Sequence, residues 1–306
     1  MTGTPFPPPE HLSAAAQEYL AIPGAAETAY PATVDVAGWD DLIQTADVGF
    51  GAMIDALAPS SGIVQRELPG IRATEVRQQG VADDSPIYLD FHGGGLVFGG
   101  GELAARATSG NAATTGLIHW AVDYRMPPHH PFPVGLEDGL EAYRALLELR
   151  PTEDIVVGGN SAGGNIASAL LLRAREEGLP MPGKLVLLSP EVDLTESGDS
   201  FRTLAAASTV LRSLMPINRL YADGADLADP LLSPLFGDLT GFPRTFLQTG
   251  TRDLFLSTTV RMHRALRAAG VEAELHVFEA MPHGGFGGAP EDAVMAAEVR
   301  RFVRSS

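Results

Sequence analysis

Cysteine is absent from the chain, which excludes a disulfide framework, a thiolate metal site and a cysteine nucleophile together. Lysine is almost absent as well, since Lys184 is the only lysine among 21 basic residues. The densest groupings of arginine are the pairs Arg173/Arg175 and Arg300/Arg301. Because nucleic-acid binding needs a larger basic cluster, and because 38 acidic residues give a formal net charge of −17, the sequence predicts neither a nucleic-acid partner nor docking to an anionic membrane.

Long apolar runs are also missing. No stretch of 18 residues is uninterrupted by polar side chains, although a transmembrane helix needs about that length. The first residues, MTGTPFPPPE, contain neither the basic segment nor the apolar segment of a secretory signal. From these features we expect a cytoplasmic protein without a membrane partner.

What the chain does contain is typical of a globular protein. Its 306 residues are 45% hydrophobic and only 19% charged, so it can fold by burying a sizeable core. The length is that of one large α/β domain or of two small domains. Serine, histidine, aspartate and glycine remain as the residues that could carry chemistry.

The spacing of apolar residues predicts two N-terminal helices, over 9–21 and 39–57, followed by a regular alternation of strands and helices. The apolar runs IYLDF and LIHWAVDY indicate strands that are buried on both faces, as in a parallel sheet. Alternation of this kind predicts a mostly parallel sheet covered by helices on both sides. The predicted strands are 63–68, 71–78, 87–91, 117–124, 154–159, 184–190, 244–250 and 272–280, and the predicted helices between and after them are 102–115, 134–149, 162–177, 257–269 and 290–303.

Residues 194–242 interrupt this alternation with a weak helical stretch, 201–222, and a segment rich in glycine, aspartate and proline. An excursion of this length from a compact sheet is typical of a lid or a binding element. We expect it to cover an acyl pocket together with the second N-terminal helix. The apolar residues that the two segments supply are Phe50, Met53, Leu57, Phe201, Leu204, Leu211, Leu214, Met215 and Tyr221.

The sequence GNSAG at 159–163 lies between a predicted strand and a predicted helix. In that context the pattern G-x-S-x-G forms a tight turn that exposes its serine, here Ser161, as a nucleophile at the start of a helix. The helix dipole then favours negative charge at that point. The alternative is a glycine-rich turn in which Ser161 only caps the helix.

Three consecutive glycines follow His92 after the strand IYLDF. Such a loop lets backbone N–H groups approach a ligand closely. With the N–H of Ala162 it would form an oxyanion hole. A phosphate-binding loop is the alternative, but no Lys-Ser or Lys-Thr follows as it does in a P-loop.

A serine nucleophile needs a base and an acid that orients the base. Asp253 follows the predicted strand 244–250, and His283 follows the strand 272–280, so the order Ser161, Asp253, His283 fits. Asp253 could instead cap the next helix, and Asp193 is the alternative acid. His92 is expected to brace the glycine loop, and the histidines expected to serve packing or turns are His119, His129, His130, His263 and His276.

Six ordered motifs together resemble the hormone-sensitive-lipase-like esterases of the α/β-hydrolase superfamily: HGGG at 92–95, YRMPPHHPFPVGLED at 124–138, GNSAGG at 159–164, DPLLSP at 229–234, GTRD at 250–253 and PHGGF at 282–286. The resemblance implies an eight-stranded, mostly parallel sheet with N-terminal cap helices in residues 1–60, and a catalytic domain over 61–306 with a cap insertion at about 194–226. It implies Ser161, His283 and Asp253 as the catalytic triad, Gly94, Gly95 and Ala162 as oxyanion donors, and neither a metal nor a cofactor.

Two positions depart from the family's usual pattern: Asn160 stands where aspartate is common, and Glu191 stands where a large apolar residue is common. The resemblance implies hydrolysis of small acyl esters or lactones, with amide or carbamate hydrolysis by the same triad as an alternative. A non-catalytic receptor on this fold, of the kind that senses gibberellin in plants, is disfavoured because His283 is present. A homodimer is possible.

Overall fold

The computed structural model describes residues 6–22, 29–57, 62–208 and 212–305. Eight strands form one sheet: β1 Ile63–Glu67, β2 Ala73–Gln78, β3 Ile87–Phe91, β4 Ile118–Val122, β5 Ile155–Asn160, β6 Lys184–Leu188, β7 Arg244–Arg252 and β8 Ala273–Pro282. Their order across the sheet is β1-β2-β4-β3-β5-β6-β7-β8. β2 pairs antiparallel with both β1 and β4, and all pairs among β3 to β8 are parallel. The predicted eight-stranded, mostly parallel sheet is confirmed.

The helices in the described ranges are α1 Ala14–Ala21, α2 Val36–Leu57, α3 Glu102–Thr115, α4 Val134–Leu147, α5 Ala162–Glu176, α6 Ser200–Thr203, α7 Met215–Ala222, α8 Leu256–Ala268 and α9 Pro290–Arg304. Single 3₁₀ turns lie at Thr152–Asp154 and Pro234–Phe236. None of these helices combines the length and the apolar character that crossing a membrane requires.

Helices cover both faces of the sheet, as predicted. On one face, apolar residues of β3, β4, β5, β6 and β7 pack with α4, α5 and α8 in the largest core cluster. On the other face, Tyr88, Val156, Val186 and Phe246 of alternate strand positions pack against α9. Since side chains alternate across a strand, strands buried on both faces must be apolar throughout, which is why these runs were recognisable in the sequence.

The predicted helical stretch 201–222 is two short helices instead of one. Between α6 and α7 the chain turns, and residues 209–211, which include Leu211, lie outside the described residues. Pro216 lies in the first turn of α7, where its missing N–H costs no intrahelical hydrogen bond. The proline therefore begins a second helix.

Helix α1 starts at Ala14, later than the predicted residue 9, because the Ser13 hydroxyl accepts a hydrogen bond from the N–H of Ala16 (3.2 Å) and caps the helix there. The backbone N–H and the hydroxyl of Ser13 also donate to the two carboxylate oxygens of Glu291, each at 2.7 Å. Buried residues of this N-terminal segment pack on the end of β8 and on the segment that follows it; the cluster contains Leu12, Ala16, Leu20, Ala280, Met281, Phe286 and Ala289.

Candidate active site

Ser161 lies in the turn between β5 and α5, with φ 55° and ψ −119°. A non-glycine residue at positive φ is strained, and such strain is concentrated at functional sites. The backbone secures the turn, since the N–H of Ser161 donates to the Leu188 carbonyl (2.9 Å) and its carbonyl accepts from Gly164 (3.0 Å). The Ser161 side chain makes no capping hydrogen bond to α5, so the alternative of a helix-capping serine is wrong.

The glycines that flank the serine are required by close backbone approach. A Cβ on Gly163 would overlap the carbonyl group of Phe91, and a Cβ on Gly159 would overlap both that carbonyl and the backbone of Gly163. Only glycine fits at either position without moving β3 or α5. Asn160, between Gly159 and the serine, is exposed.

The structure brings Ser161, His283 and Asp253 together. The Nε2 atom of His283 lies 2.9 Å from the Ser161 Oγ, and its Nδ1 atom lies 3.2 Å from the Asp253 Oδ1. The aspartate is fully buried, whereas Ser161 is 6% exposed and the His283 side chain 11% exposed. The ends of β7 and β8 therefore deliver an acid and a base to the nucleophile in the geometry of a serine triad.

The Asp253 carboxylate is held from two further directions. Its Oδ1 accepts a hydrogen bond from the N–H of Phe255 at 2.9 Å, and its Oδ2 accepts one from the hydroxyl of Thr249 at 3.4 Å. The helix that follows, α8, has Phe255 at its N-cap position and no side-chain capping hydrogen bond, so the alternative of a helix-capping Asp253 is wrong. The N–H of Phe255 and the imidazole of His283 both contact the same carboxylate oxygen, Oδ1.

Asp193, the alternative acid, is occupied elsewhere. Its carboxylate pairs with Arg261 at 3.1 Å and accepts hydrogen bonds from the hydroxyls of Thr195 (2.5 Å) and Ser197 (2.6 Å). It therefore stabilises the chain after β6, and the structure places Asp253, not Asp193, beside His283.

The glycine loop lies against the nucleophile turn. A Cβ on Gly93 would lie 3.4 Å from the Cβ of Ser161. Gly94 and Gly95 have φ values of 125° and 61°, which favour glycine, and the Gly94 carbonyl accepts from the N–H of Phe98 (2.9 Å). Within the described part of the chain, the N–H groups of Gly94 and Gly95 have no acceptor.

Ala162 supplies a third N–H group beside the serine. It is the first residue of α5, and the first amides of a helix have no intrahelical acceptor. The partial positive charge of the helix N-terminus adds to these donors. The arrangement can therefore bind an oxygen that acquires negative charge next to Ser161.

His92 braces the glycine loop, as predicted. Its Nδ1–H donates to the Gly93 carbonyl at 2.8 Å, and its ring stacks on Tyr124 at a centroid distance of 4.2 Å. The hydroxyl of Tyr124 donates to the His92 carbonyl at 2.8 Å. Burial lowers the pKa of His92, so the ring stays neutral. Sequence reasoning missed Tyr124, although it begins the motif YRMPPHHPFPVGLED.

Four other histidines have partners away from the triad. His119 is fully buried, with Nδ1 2.9 Å from Asp90 and Nε2 2.7 Å from the Thr115 hydroxyl. This chain of three groups has the residue types of a triad but no access to solvent, so it is a packing element. His263 of α8 contacts the Ala273 carbonyl, and His276 of β8 stacks on Phe246. As predicted, His129 and His130 lie in a turn, where both are exposed and His129 contacts Asp40.

One residue of the predicted pocket lining, Leu214, faces the glycine loop. Leu214, just before α7, would lie 3.9 Å from a Cβ on Gly95, and Ile217 of α7, which the sequence did not single out, would lie 3.5 Å from it. They belong to a cluster that also contains Trp39 of α2, with Phe50 and Phe201 partly buried against it. Other predicted lining residues lie elsewhere: Tyr221 is in the main core, Met53 and Leu57 are exposed, and Leu204 and Met215 are half-buried.

No group of three or more side chains of the kind that holds a metal ion occurs within residues 6–22, 29–57, 62–208 and 212–305. The contacts from Asp253 through His283 to Ser161 can support proton transfer through the imidazole and covalent attack by the serine hydroxyl.

Comparison with known proteins defines the class. Residues 88–286 match a family described by the α/β-hydrolase fold. The chain is 31% identical over 228 residues to an esterase of Acinetobacter venetianus, covering 73% of this chain and 74% of the relative. It is 33% identical to an acetyl-hydrolase of Streptomyces hygroscopicus, covering 65% and 68% of the two chains.

Solved structures agree with this placement. The esterase E25 superposes with a TM-score of 0.83 at 33% identity, over 97% of this chain and 95% of that one. The hormone-sensitive-lipase homologue EstE7, from a metagenome library, superposes with a TM-score of 0.79 at 30% identity, over 87% and 97%. The chain belongs to the α/β-hydrolase family and, within it, to the hormone-sensitive-lipase-like esterases.

Proposed function

We propose that this esterase hydrolyses small acyl esters, lactones included, through an acyl-enzyme intermediate on Ser161. The observation that carries the proposal is the continuous chain of contacts from Asp253 through His283 to the Ser161 hydroxyl, 3.2 and 2.9 Å long. In the proposed reaction Ser161 is the nucleophile, His283 the general base and acid, and Asp253 the group that orients the imidazole.

His283 accepts and returns one proton in each half of the reaction. The Ser161 Oγ attacks the carbonyl carbon of the ester while its proton moves to the Nε2 atom of His283. The alcohol leaves with that proton when the tetrahedral intermediate collapses. Water then attacks the acyl-enzyme, gives a proton to His283, and the carboxylic acid departs as Ser161 recovers its proton.

The negative charge of each tetrahedral intermediate is assigned to the amides of Gly94, Gly95 and Ala162. Support comes from their free N–H groups and from the position of Ala162 at the N-terminus of α5. Removing one donor from such a site typically costs about 2.7 to 4 kcal/mol of transition-state stabilisation. This electrostatic contribution is larger than that of most single hydrogen bonds in the ground state.

The cap elements support a preference for small acyl groups. We propose that residues 1–60 and about 194–226 act as cap elements on a catalytic domain, and that the contacts of Ile217 and Leu214 with the glycine loop limit the depth of the acyl pocket. The relative from Streptomyces hygroscopicus is named an acetyl-hydrolase, which agrees with a small acyl group.

One substrate panel tests the proposal against amide or carbamate hydrolysis. Aryl esters of increasing acyl length, a small lactone, an aryl carbamate and an anilide are assayed side by side with the purified protein. We expect turnover of short esters and the lactone, and little turnover of the anilide, because an amine is the poorer leaving group. A kcat/KM for the anilide equal to that for the matched ester would favour an amidase.

A cytoplasmic location and a possible homodimer complete the proposal. Cell fractionation tests the location, and size-exclusion chromatography with light scattering tests the oligomeric state.

A further inference from the structure

Glu191 is held against the nucleophile turn through its backbone. Its N–H donates to the carbonyl of Ser161 at 3.0 Å, and its own carbonyl accepts a hydrogen bond from the Asn165 side chain of α5 at 2.8 Å. Both hydrogen bonds join the segment after β6 to the start of α5. The position of Glu191 is therefore coupled to the backbone of Ser161.

The carboxyl group of Glu191 is buried with little polar support. The residue is 1% exposed, and neither carboxyl oxygen has a hydrogen-bond or ion-pair partner among the described residues. An ionised carboxylate in such a place is costly, so a buried acid of this kind keeps its proton. Burial, and then the negative charge of Glu196, raise the pKa of Glu191 to about 8, while the neighbouring Asn218 amide opposes the shift.

The groups around Glu191 come from four other parts of the chain. Asn165 of α5 and Asn218 of α7 do not titrate. The phenols of Tyr124 after β4, Tyr221 of α7 and Tyr30 before α2 do, but burial raises the pKa of each above the ordinary tyrosine value.

Glu196 is the remaining acid in these surroundings. It accepts hydrogen bonds from the Ser213 hydroxyl (2.7 Å) and from the N–H of Leu214 (2.5 Å). Burial raises the pKa of Glu196 as well, and its charge repels a charge on Glu191. Asp193, two residues along the chain from Glu191, is a further acid that acts on Glu196, and its carboxylate is paired with Arg261. Among these acids, Glu191 is the one whose pKa is raised into the mildly alkaline range.

Helix α7 lies between this carboxyl group and the glycine loop. Asn218 lies beside Glu191, and the preceding residue, Ile217, packs over Gly95. The positive charge that develops on His283 during the reaction already has a partner in Asp253. A second negative charge near the nucleophile turn would therefore act mainly against the oxyanion.

We propose that Glu191 is a positioning residue that must be a neutral carboxylic acid for full activity, and that loss of its proton to bulk water slows attack by Ser161. The inference rests on the proposed function, in which Ser161 is the nucleophile. It gives a role to a residue that departs from the family's usual pattern.

The pH profile of kcat/KM for p-nitrophenyl acetate tests the inference, with spontaneous hydrolysis subtracted. We expect the unmodified protein to lose about tenfold between pH 7.5 and 9.5, and Glu191→Gln, which cannot ionise, to change by less than about twofold over that range. The matched control is Glu148→Gln, an exposed position at the end of α4, which should keep the original profile. Parallel alkaline losses in the unmodified protein and Glu191→Gln, or no loss in either, would overturn the inference.

Glu196→Gln tests the same idea without altering Glu191. Removing the neighbouring negative charge makes ionisation of Glu191 easier, so the alkaline loss should begin at lower pH. An unchanged or more alkaline midpoint would contradict the inference, and this variant also serves if Glu191→Gln does not fold.

Thermal melting separates this inference from the proposed function, because it needs no catalysis. The comparison is made in a Ser161→Ala background. An acid whose pKa is higher in the folded than in the unfolded protein stabilises the fold less and less as the pH rises from the unfolded pKa to the folded pKa. The protein with Glu191 should therefore melt at progressively lower temperature than Glu191→Gln between about pH 5 and 8, with a constant difference above that. A difference in melting temperature that does not depend on pH would refute the claim that Glu191 is a neutral acid. An active Ser161→Ala protein would instead refute the assignment of Ser161 as the nucleophile and leave the claim about Glu191 standing.

Discussion

Phe255 packs edge to face against His283, with the ring centroids 5.0 Å apart and the ring planes at 82°. The same phenylalanine belongs to the apolar cluster that contains Trp39 of α2 and Ile217 of α7. The imidazole is thus positioned by Asp253 through a hydrogen bond and by Phe255 through an aromatic contact. Changes in that cluster are expected to affect turnover as well as binding.

Ser161→Ala should leave a folded protein with almost no esterase activity, because the oxyanion hole and binding alone supply only a small part of the rate enhancement. The melting temperature and the circular dichroism spectrum report the fold. An aryl organophosphate should label the unmodified protein once, at Ser161, as read by peptide mass spectrometry. Labelling at another residue would assign the nucleophile elsewhere.

Asp253→Asn should lower kcat by about 10⁴ with a modest change in KM, because the neutral amide no longer selects the productive imidazole tautomer. Asp193→Asn is the matched control: it removes a charge paired with Arg261 and should reduce stability more than turnover. Steady-state kinetics and thermal melting of both variants check this contrast. A larger kcat loss in Asp193→Asn would identify that residue as the acid.

Tyr124→Phe should keep the ring stack on His92 but remove the hydrogen bond to its carbonyl, leaving a buried acceptor unsatisfied. We expect a loss of about 1 to 3 kcal/mol in the free energy of unfolding and a lower kcat, because the glycine loop is less firmly held. Urea unfolding and short-ester kinetics measure the two effects. Tyr19→Phe, on α1, is the control, and equal kcat losses in both variants would argue against a specific brace.

Acyl-chain length should show an optimum at short chains, roughly C2 to C6 for a pocket of limited depth. Below the optimum each methylene should favour kcat/KM by about fourfold, from about 0.8 kcal/mol of burial. Ile217→Ala should move the optimum to longer chains, whereas the exposed Met53→Ala should not. A strong preference of the unmodified protein for C12 or longer esters would contradict a shallow pocket but leave the triad in place.

The sequence predicted the sheet and the triad because their signals are local. A glycine pair around Ser161 and apolar runs before Asp253 and His283 are readable without knowledge of distant contacts. The order of these residues then placed them at one edge of a parallel sheet, which the structure confirms as a geometric fact: Asp253, His283 and Ser161 are in contact.

What the sequence did not reveal depends on residues far apart in the chain. The bracing role of Tyr124 arises from a partner 32 positions earlier, and the motif that Tyr124 begins does not show that contact. The division of 201–222 into two helices reflects the start of α7 at Met215, with Pro216 in its first turn, against a weak helical pattern. That Met53 and Leu57 are exposed, although apolar, could not be inferred because a helix pattern does not show which of its faces is covered.

The docking of residues 6–22 has a consequence for biosynthesis. Arg252, next to Asp253, donates hydrogen bonds to the carbonyls of Phe6 (3.3 Å) and Pro7 (2.8 Å), and α1 packs on the segment that carries His283. A ribosome makes residues 6–22 before it makes the surface that binds them. A nascent chain that contains Ser161 but not yet β8 therefore lacks both the proposed base, His283, and the surface on which α1 packs, so the proposed triad can assemble only after β8 has left the ribosome.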